Sequence, residues 1–254
     1  MTAPNDTVGA AGVAPVVRVV PDADALTQAA EAIVGDAVLH AVERRGRCAL
    51  VLAGGGTPRA LYERLAAYDA ARLPWNLIDV WFGDERCVPP DDEASNYGMA
   101  REALLSRVPI PPENVRRIRG ELGSAAAAEA YDAELRAAYG APNAPGAGEG
   151  FDLVLLGIGT EGHTASLFPD HPALDVTDRW TAPVDPAPPT AKPLVPRVTL
   201  TLPALTGAAE VLFLATGAEK KPIVDAVRAG DSALPAARVR GRERTMWIVD
   251  SAAG

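Results

Sequence analysis

The stretch "CALVLAGGGTPRALY", residues 48–62, is an apolar run that leads into three glycines and then into an amphipathic segment. An apolar run without alternation is typical of a strand that is covered on both faces. Thr57 suits the N-cap of a following helix and Pro58 its first helical position. The stretch therefore predicts a strand, a glycine turn and a helix, which is the repeating unit of a parallel α/β fold.

Similar apolar runs alternate with Ala-rich segments along the whole chain. This alternation predicts a single α/β domain over residues 15–254, built on a mostly parallel sheet. The predicted strands are 16–20, 48–53, 78–82, 152–158, 198–202, 211–216 and 246–250, and the predicted helices are 23–45, 58–70, 97–107, 124–139 and 218–229.

Three segments are expected to lack regular structure. Residues 1–14 are interpreted as a flexible tail. The segments 140–150 and 182–196 are too rich in glycine and proline for a helix or a strand, which favours surface loops, a lid or poor order.

The charge balance argues against a nucleic-acid partner. Asp and Glu outnumber Lys and Arg by 33 to 24, and the net charge of -9 would repel a phosphate backbone. An anionic small molecule stays compatible with this balance, because it needs only a locally positive pocket.

The cysteines and the N-terminus bear on the compartment. Two cysteines, Cys48 and Cys87, form neither a disulfide framework nor a four-ligand zinc site. The first residues lack the basic and apolar regions of a secretory signal, and no apolar span reaches the length of a membrane helix. We expect a soluble, cytoplasmic protein without a membrane partner.

In open α/β sheets, ligands bind beyond the carboxyl ends of strands, so the segments that follow strands are the candidate binding segments. In the first of them, Gly55, Gly56 and Thr57 lie where a backbone can approach a ligand and where a helix N-terminus favours an anion. The lysine of a Walker loop is missing. A tight turn without a ligand is the alternative.

The second segment is "VWFGDERCVPPDDEASNYG", residues 80–98. Arg86 has the planar fork that clamps a phosphate or a carboxylate, and Asp84 beside it is a further candidate for substrate binding. The alternative for Arg86 is a salt bridge with a neighbouring acid. Ser95 or Asn96 suits the cap of the next helix.

The third segment, "GIGTEGHTASLFP" at 157–169, contains the G-x-G-x-x-G pattern of dinucleotide sites. Pro169 follows too closely for the long helix that such a site requires, which disfavours this interpretation. His163 is a candidate general base, and the carboxylate of Glu161 is placed to fix its tautomer. The alternative is a histidine that only satisfies backbone groups of the turn.

The fourth segment is "VLFLATGAEKKPIV", residues 211–224. Cations at a helix N-terminus oppose the macrodipole, so helix stability does not explain Lys220 or Lys221. An anionic ligand would explain them. The alternative is that the helix begins at Pro222 and that both lysines are solvated.

These four segments, together with "PRVTLTLPAL" at 196–205, resemble the 6-phosphogluconolactonase family in their order over nearly the whole chain. The resemblance implies a modified doubly wound, mostly parallel sheet flanked by helices, shared with glucosamine-6-phosphate deaminase and ribose-5-phosphate isomerase. It also implies hydrolysis of 6-phospho-D-glucono-1,5-lactone without a metal or an organic cofactor.

The resemblance also assigns roles to residues. It implies His163 as the general base, and a phosphate site made of Gly55, Gly56, Thr57, Arg86, Arg197 and Lys220. The family usually has Asp at position 161, so Glu161 is a departure whose longer side chain changes its reach to the histidine.

The chemistry of a δ-lactone agrees with this residue set. Such a lactone is an activated ester, and a base with a pKa near 6.5 can activate water against it at neutral pH. No G-x-S-x-G nucleophile elbow is present, and Arg86 is the candidate for stabilising the oxyanion. The alternatives are a glucosamine-6-phosphate deaminase or sugar-phosphate isomerase, and a non-catalytic sugar-phosphate sensor. A monomer and a small homo-oligomer both stay open.

Overall fold

The computed structural model describes residues 14–68, 70–142, 150–231 and 233–254. Apart from Ala14, the predicted tail lies outside the described residues, as does most of the loop predicted at 140–150. The assignment of residues 15–254 to one domain stays a prediction.

Nine strands form two sheets in the described part of the chain. They are β1 Val16–Val20, β2 Cys48–Leu52, β3 Ile78–Phe82, β4 Asp84–Arg86, β5 Leu153–Leu156, β6 Thr181–Val184, β7 Arg197–Leu200, β8 Glu210–Ala215 and β9 Arg244–Asp250. Six of them pair in parallel in the order β1-β9-β8-β5-β2-β3, which confirms the predicted parallel sheet. The central strands β2 and β5 are buried along their whole length, as their unbroken apolar runs indicate.

The helices follow the strands, as an α/β fold requires. They are α1 Ala23–Arg45, α2 Gly56–Tyr68, α3 Asn96–Ala100, α4 Ser124–Tyr139, α5 Leu202–Thr206, α6 Lys221–Arg228 and α7 Pro235–Arg238. A π-helical turn at Arg101–Leu105 prolongs α3, and a 3₁₀ turn at Ala218–Lys220 precedes α6. All five predicted helices are present, and α1 and α4 match their predicted bounds.

Local capping explains the precise ends of α1. Asp22 accepts a hydrogen bond from the backbone N–H of Ala25 at 2.9 Å, and Gly46 ends the helix in the left-handed region with φ 75°. The predicted cap of α2 was wrong. That helix begins at Gly56, so Thr57 lies inside its first turn and its hydroxyl group contacts the hydroxyl of Thr216 instead.

The second sheet corrects two sequence predictions. Strands β4, β7 and β6 form an antiparallel sheet in that order, so the predicted strand at 198–202 does not join the parallel sheet. The segment 182–196 is not wholly a loop, because its first residues belong to β6. Pro183 is tolerated there because β6 lies at an edge, where a missing N–H breaks little of the ladder.

Candidate active site

A cavity of about 370 Å³ lies at the carboxyl ends of the parallel strands. The four segments singled out from the sequence follow β2, β3, β5 and β8, which are neighbours in the sheet. The cavity is lined by Gly55, Asp84, Arg86, Glu161, His163, Arg197 and Lys220, among others. Gly56 and Thr57 lie in the first turn of α2 and are not among its lining residues.

The glycine turn after β2 is held by a buried tyrosine. The hydroxyl of Tyr62 donates to the carbonyl of Ala53 and accepts from its N–H, both at 2.8 Å. A Cβ atom at Gly54 would lie 1.9 Å from Oδ1 of Asn96, and Gly55 has φ 103°. Only glycine fits at these two positions, so bare backbone faces the cavity here.

Glu85 organises the wall that follows β3. It is 2% exposed, and its carboxylate accepts hydrogen bonds from the backbone N–H groups of Arg86, Asn96 and Tyr97 and from the hydroxyl of Ser95. Burial raises the pKa of Glu85, while these backbone N–H groups oppose the rise. Glu85 therefore holds the start of α3 through hydrogen bonds from its first backbone N–H groups. Ser95 forms the predicted cap of α3 by accepting a hydrogen bond from the N–H of Gly98.

Asp84 connects three segments of the chain. Its Oδ2 accepts from the hydroxyl of Ser166 at 2.6 Å, and its Oδ1 accepts from the amide of Asn96 at 3.0 Å. The residue is only 7% exposed. Its carboxylate is thus engaged with protein donors on both oxygens while it still borders the cavity.

Two arginines face the cavity from adjacent strands. Arg86 and Arg197 are opposite each other in the antiparallel register of β4 and β7. Arg86 donates to the carbonyl of Ala94 at 2.7 Å, and Arg197 donates to the carbonyl of Pro193 at 3.0 Å. In each guanidinium group the Nε atom is buried without a hydrogen-bond partner. Within the described residues no carboxylate forms a salt bridge with Arg86, so the structural alternative raised for it is not observed.

The surroundings of Arg197 disfavour its charged guanidinium group. Burial lowers the pKa of its guanidinium, and the nearby charge of Arg86 acts in the same direction, although Asp84 opposes both. The group also lies 5.7 Å from the centre of the Phe168 ring. Two partly desolvated cations side by side favour an anion between or beside them.

His163 is held in a turn after β5. Its carbonyl accepts from the N–H of Gly159 at 2.9 Å, and Gly162 has φ 86°. A Cβ atom at Gly159 would lie 2.0 Å from Nδ1 of His163. The glycines of this pattern therefore shape a turn beneath the imidazole, and no long helix follows them.

The imidazole packs on Phe168, with ring centres 4.4 Å apart, and its Nδ1 lies 3.1 Å from Oε2 of Glu161. This contact is close but not aligned as a hydrogen bond. Burial lowers the pKa of His163, against the opposing influence of Glu161 and Asp84. Burial by itself would raise the pKa of Glu161, but hydrogen bonding and the charge of His163 lower it on balance. A neutral imidazole beside an ionised carboxylate can accept a proton at neutral pH.

The two lysines of the fourth segment have different surroundings. Lys220 ends the 3₁₀ turn and lines the cavity. Lys221 begins α6 and donates to Asp225 and to the carbonyl of Gly254. Lys220 therefore stays the candidate for binding an anion, whereas Lys221 has partners in the protein.

Two polar lining residues, Thr190 and Lys192, lie outside the segments from which site residues were predicted, between β6 and β7. The only signal was their place in the proline-rich segment just before Arg197. With Lys192, four cationic side chains and two acidic ones line the cavity. The site is thus locally positive within an acidic chain, as binding of a small anion requires.

Two further properties bear on the class of site. Among the described residues no group of three or more His, Cys, Asp or Glu side chains could hold a metal ion. No helix in that part of the chain is long and apolar enough to span a membrane. The parallel sheet, the glycine turn and the histidine in a cationic cavity are the features of an α/β protein whose cavity suits a small anion beside a proton acceptor.

Comparisons with known proteins give the family. A model described as "Glucosamine-6-phosphate isomerases/6-phosphogluconolactonase" matches residues 21–247. A 6-phosphogluconolactonase of Nostoc sp. is 38% identical over 242 residues, covering 94% of this chain and 96% of the relative. One of Streptomyces coelicolor is 40% identical over 240 residues, covering 91% and 90%. The chain belongs to the glucosamine-6-phosphate isomerase/6-phosphogluconolactonase family.

A solved structure agrees with this assignment. The crystal structure of 6-phosphogluconolactonase from Thermotoga maritima superposes with a TM-score of 0.81 at 35% sequence identity, covering 93% of this chain and all of that one. The modified doubly wound fold expected from the sequence is thereby confirmed.

Proposed function

We propose that this protein is a 6-phosphogluconolactonase, which hydrolyses 6-phospho-D-glucono-1,5-lactone to 6-phospho-D-gluconate. The similarity to curated 6-phosphogluconolactonases over more than nine-tenths of the chain supports the substrate. The observation that carries the chemistry is the partly buried His163, which faces a cationic cavity and whose pKa is lowered by burial, so that the neutral imidazole is favoured.

In the proposed reaction His163 acts as the general base. It takes a proton from water as the water oxygen attacks the lactone carbonyl carbon, C1, forming a tetrahedral oxyanion. The bond between C1 and the ring oxygen then breaks, and the imidazolium returns the proton to that oxygen. Glu161, 3.1 Å from Nδ1, stabilises the imidazolium between these steps.

The cations of the cavity have two tasks in this proposal. Arg197 and Lys220, together with the backbone at Gly55, hold the phosphate. Binding of the phosphate, which is remote from the reacting carbon, keeps C1 next to the base. Arg86, with its unpartnered Nε, stabilises the oxyanion. Asp84 contributes to the substrate site by holding the surrounding segments through Ser166. The reaction needs water and uses no cofactor.

The substitution His163→Ala tests the role of the base. We expect turnover to fall by about 10²–10⁴-fold, the usual contribution of general-base catalysis, while binding of 6-phosphogluconate is retained. The control is His40→Ala, because His40 is exposed on α1 and does not line the cavity. Near-normal turnover of His163→Ala, after subtraction of spontaneous hydrolysis, would remove His163 from the mechanism.

A single preparation of the protein distinguishes the alternative activities. Lactone hydrolysis and glucosamine-6-phosphate deamination are measured side by side, together with 6-phosphogluconate binding by calorimetry. Hydrolysis alone supports the proposal, deamination alone supports the deaminase, and binding without either reaction supports a sensor.

We place the activity in the oxidative pentose phosphate pathway and in the cytoplasm, as the substrate and the composition indicate.

A further inference from the structure

The turn that carries Lys220 is anchored by an acidic residue from a neighbouring strand. Asp250 is the last residue of β9, which pairs with β8. Its two carboxylate oxygens each lie 3.1 Å from the N–H of Gly217, the residue with φ 96° at which the turn leaves the strand. Its Oδ1 also accepts from the N–H of Ala253 at 2.8 Å.

The same turn is attached on its other side to the glycine turn. The hydroxyl groups of Thr216 and Thr57 lie 3.1 Å apart, which connects the end of β8 with the first turn of α2. Gly55 and Lys220 both line the cavity. The two turns therefore border the same cavity and are linked by the two threonines, and Asp250 anchors the turn of Lys220 to β9.

Asp250 itself is not among the residues that line the cavity. Its described hydrogen bonds come from backbone N–H groups, and Lys220 has no ion-pair partner among the described residues. An anchored turn limits where the Lys220 ammonium group can lie, although its side chain is long and flexible.

We propose that Asp250 is a positioning residue that fixes the Lys220 turn for binding of the substrate phosphate. The inference rests on the proposed lactonase function. It assigns to Asp250 an effect on phosphate binding without contact to the substrate or to His163. Asp250 therefore acts on KM and leaves the chemical step unchanged.

Asp250→Ala tests this role in the full-length protein with 6-phospho-D-glucono-1,5-lactone as substrate. We expect KM to rise about ten-fold and kcat to stay within about two-fold, since misplacement of a binding group weakens binding without touching the base. Asp250→Asn, which keeps one acceptor oxygen for Gly217, should recover most of the loss. Asp225→Ala is the matched control, because Asp225 pairs with Lys221 on the exposed side of α6 and should leave KM unchanged.

The double variant Asp250→Ala/Lys220→Ala shows whether Asp250 acts through Lys220. Its KM should equal that of Lys220→Ala alone, and a further rise would overturn the proposal. An equal fall of kcat in Asp250→Ala, or an unchanged KM, would also overturn it. If Asp250→Ala does not fold, Asp250→Asn is measured with Lys220→Ala in the same way.

Calorimetry with 6-phosphogluconate separates this inference from the proposed function. Absence of lactone hydrolysis by the unsubstituted protein would contradict the function. Weaker binding of 6-phosphogluconate to Asp250→Ala than to the unsubstituted protein would still support the role of Asp250, and equal binding would refute it.

Discussion

Removal of the Glu85 carboxylate should destabilise the protein, because this carboxylate connects the strand end that carries Arg86 with the start of α3. Glu85 is 2% exposed and accepts four hydrogen bonds, at 2.7 Å from the N–H of Arg86, at 2.7 and 2.8 Å from two N–H groups of α3, and at 3.0 Å from Ser95. Glu85→Ala would leave these buried donors without their acceptor. The cost is large because an unsatisfied buried group loses its full solvation.

The size of the effect follows from these contacts. A hydrogen bond to a charged group contributes about 1.5–3 kcal/mol. The sum over the four bonds is an upper limit for the loss in the free energy of unfolding, and the expected loss is well below that sum. Two effects reduce it. Water can enter the space left by the side chain, and the penalty of burying the ionised carboxylate, which raises the pKa of Glu85, disappears. We expect a loss of about 3–5 kcal/mol in the free energy of unfolding for Glu85→Ala.

Chemical denaturation followed by circular dichroism measures this loss, provided that unfolding is reversible and two-state. Glu85→Gln keeps one acceptor oxygen and should lose less. Glu93→Ala is the control, since Glu93 is exposed in the same segment and should change stability by less than about 0.5 kcal/mol. A loss below about 1 kcal/mol for Glu85→Ala would refute the claim that this carboxylate organises the wall.

Three further predictions concern the site and its support. Glu161 raises the pKa of His163, so Glu161→Gln should shift the acid limb of the kcat/KM profile to lower pH; a shift to higher pH would contradict this coupling. Arg197→Ala should weaken 6-phosphogluconate binding about ten- to a hundred-fold in calorimetry, and unchanged affinity would exclude Arg197 from the phosphate site. Tyr62→Phe should cost about 2 kcal/mol of unfolding free energy, because both polar groups of Ala53 lose their buried partner; an unchanged denaturation midpoint would show that water replaces it.

The sequence by itself determined the parallel part of the fold and the edge of the sheet at which the candidate segments meet. Unbroken apolar runs such as β2 and β5 show that both faces of a strand are covered, and local caps such as Asp22 and Gly46 set the ends of α1. Parallel strands end at one edge, so the segments after β2, β3, β5 and β8 had to come together. These signals are readable because they depend on neighbours within a few residues.

Only the tertiary structure decided the second sheet and the partners of the polar residues. Strand β4 has three residues and β6 contains a proline, so neither has a pattern of its own, and both exist because β7 lies between them. The acceptor of Ser166 is 82 positions away in the chain, and Gly217 is separated by 33 positions from Asp250. Such pairings depend on which surfaces meet after folding, and no local propensity encodes a contact between distant side chains.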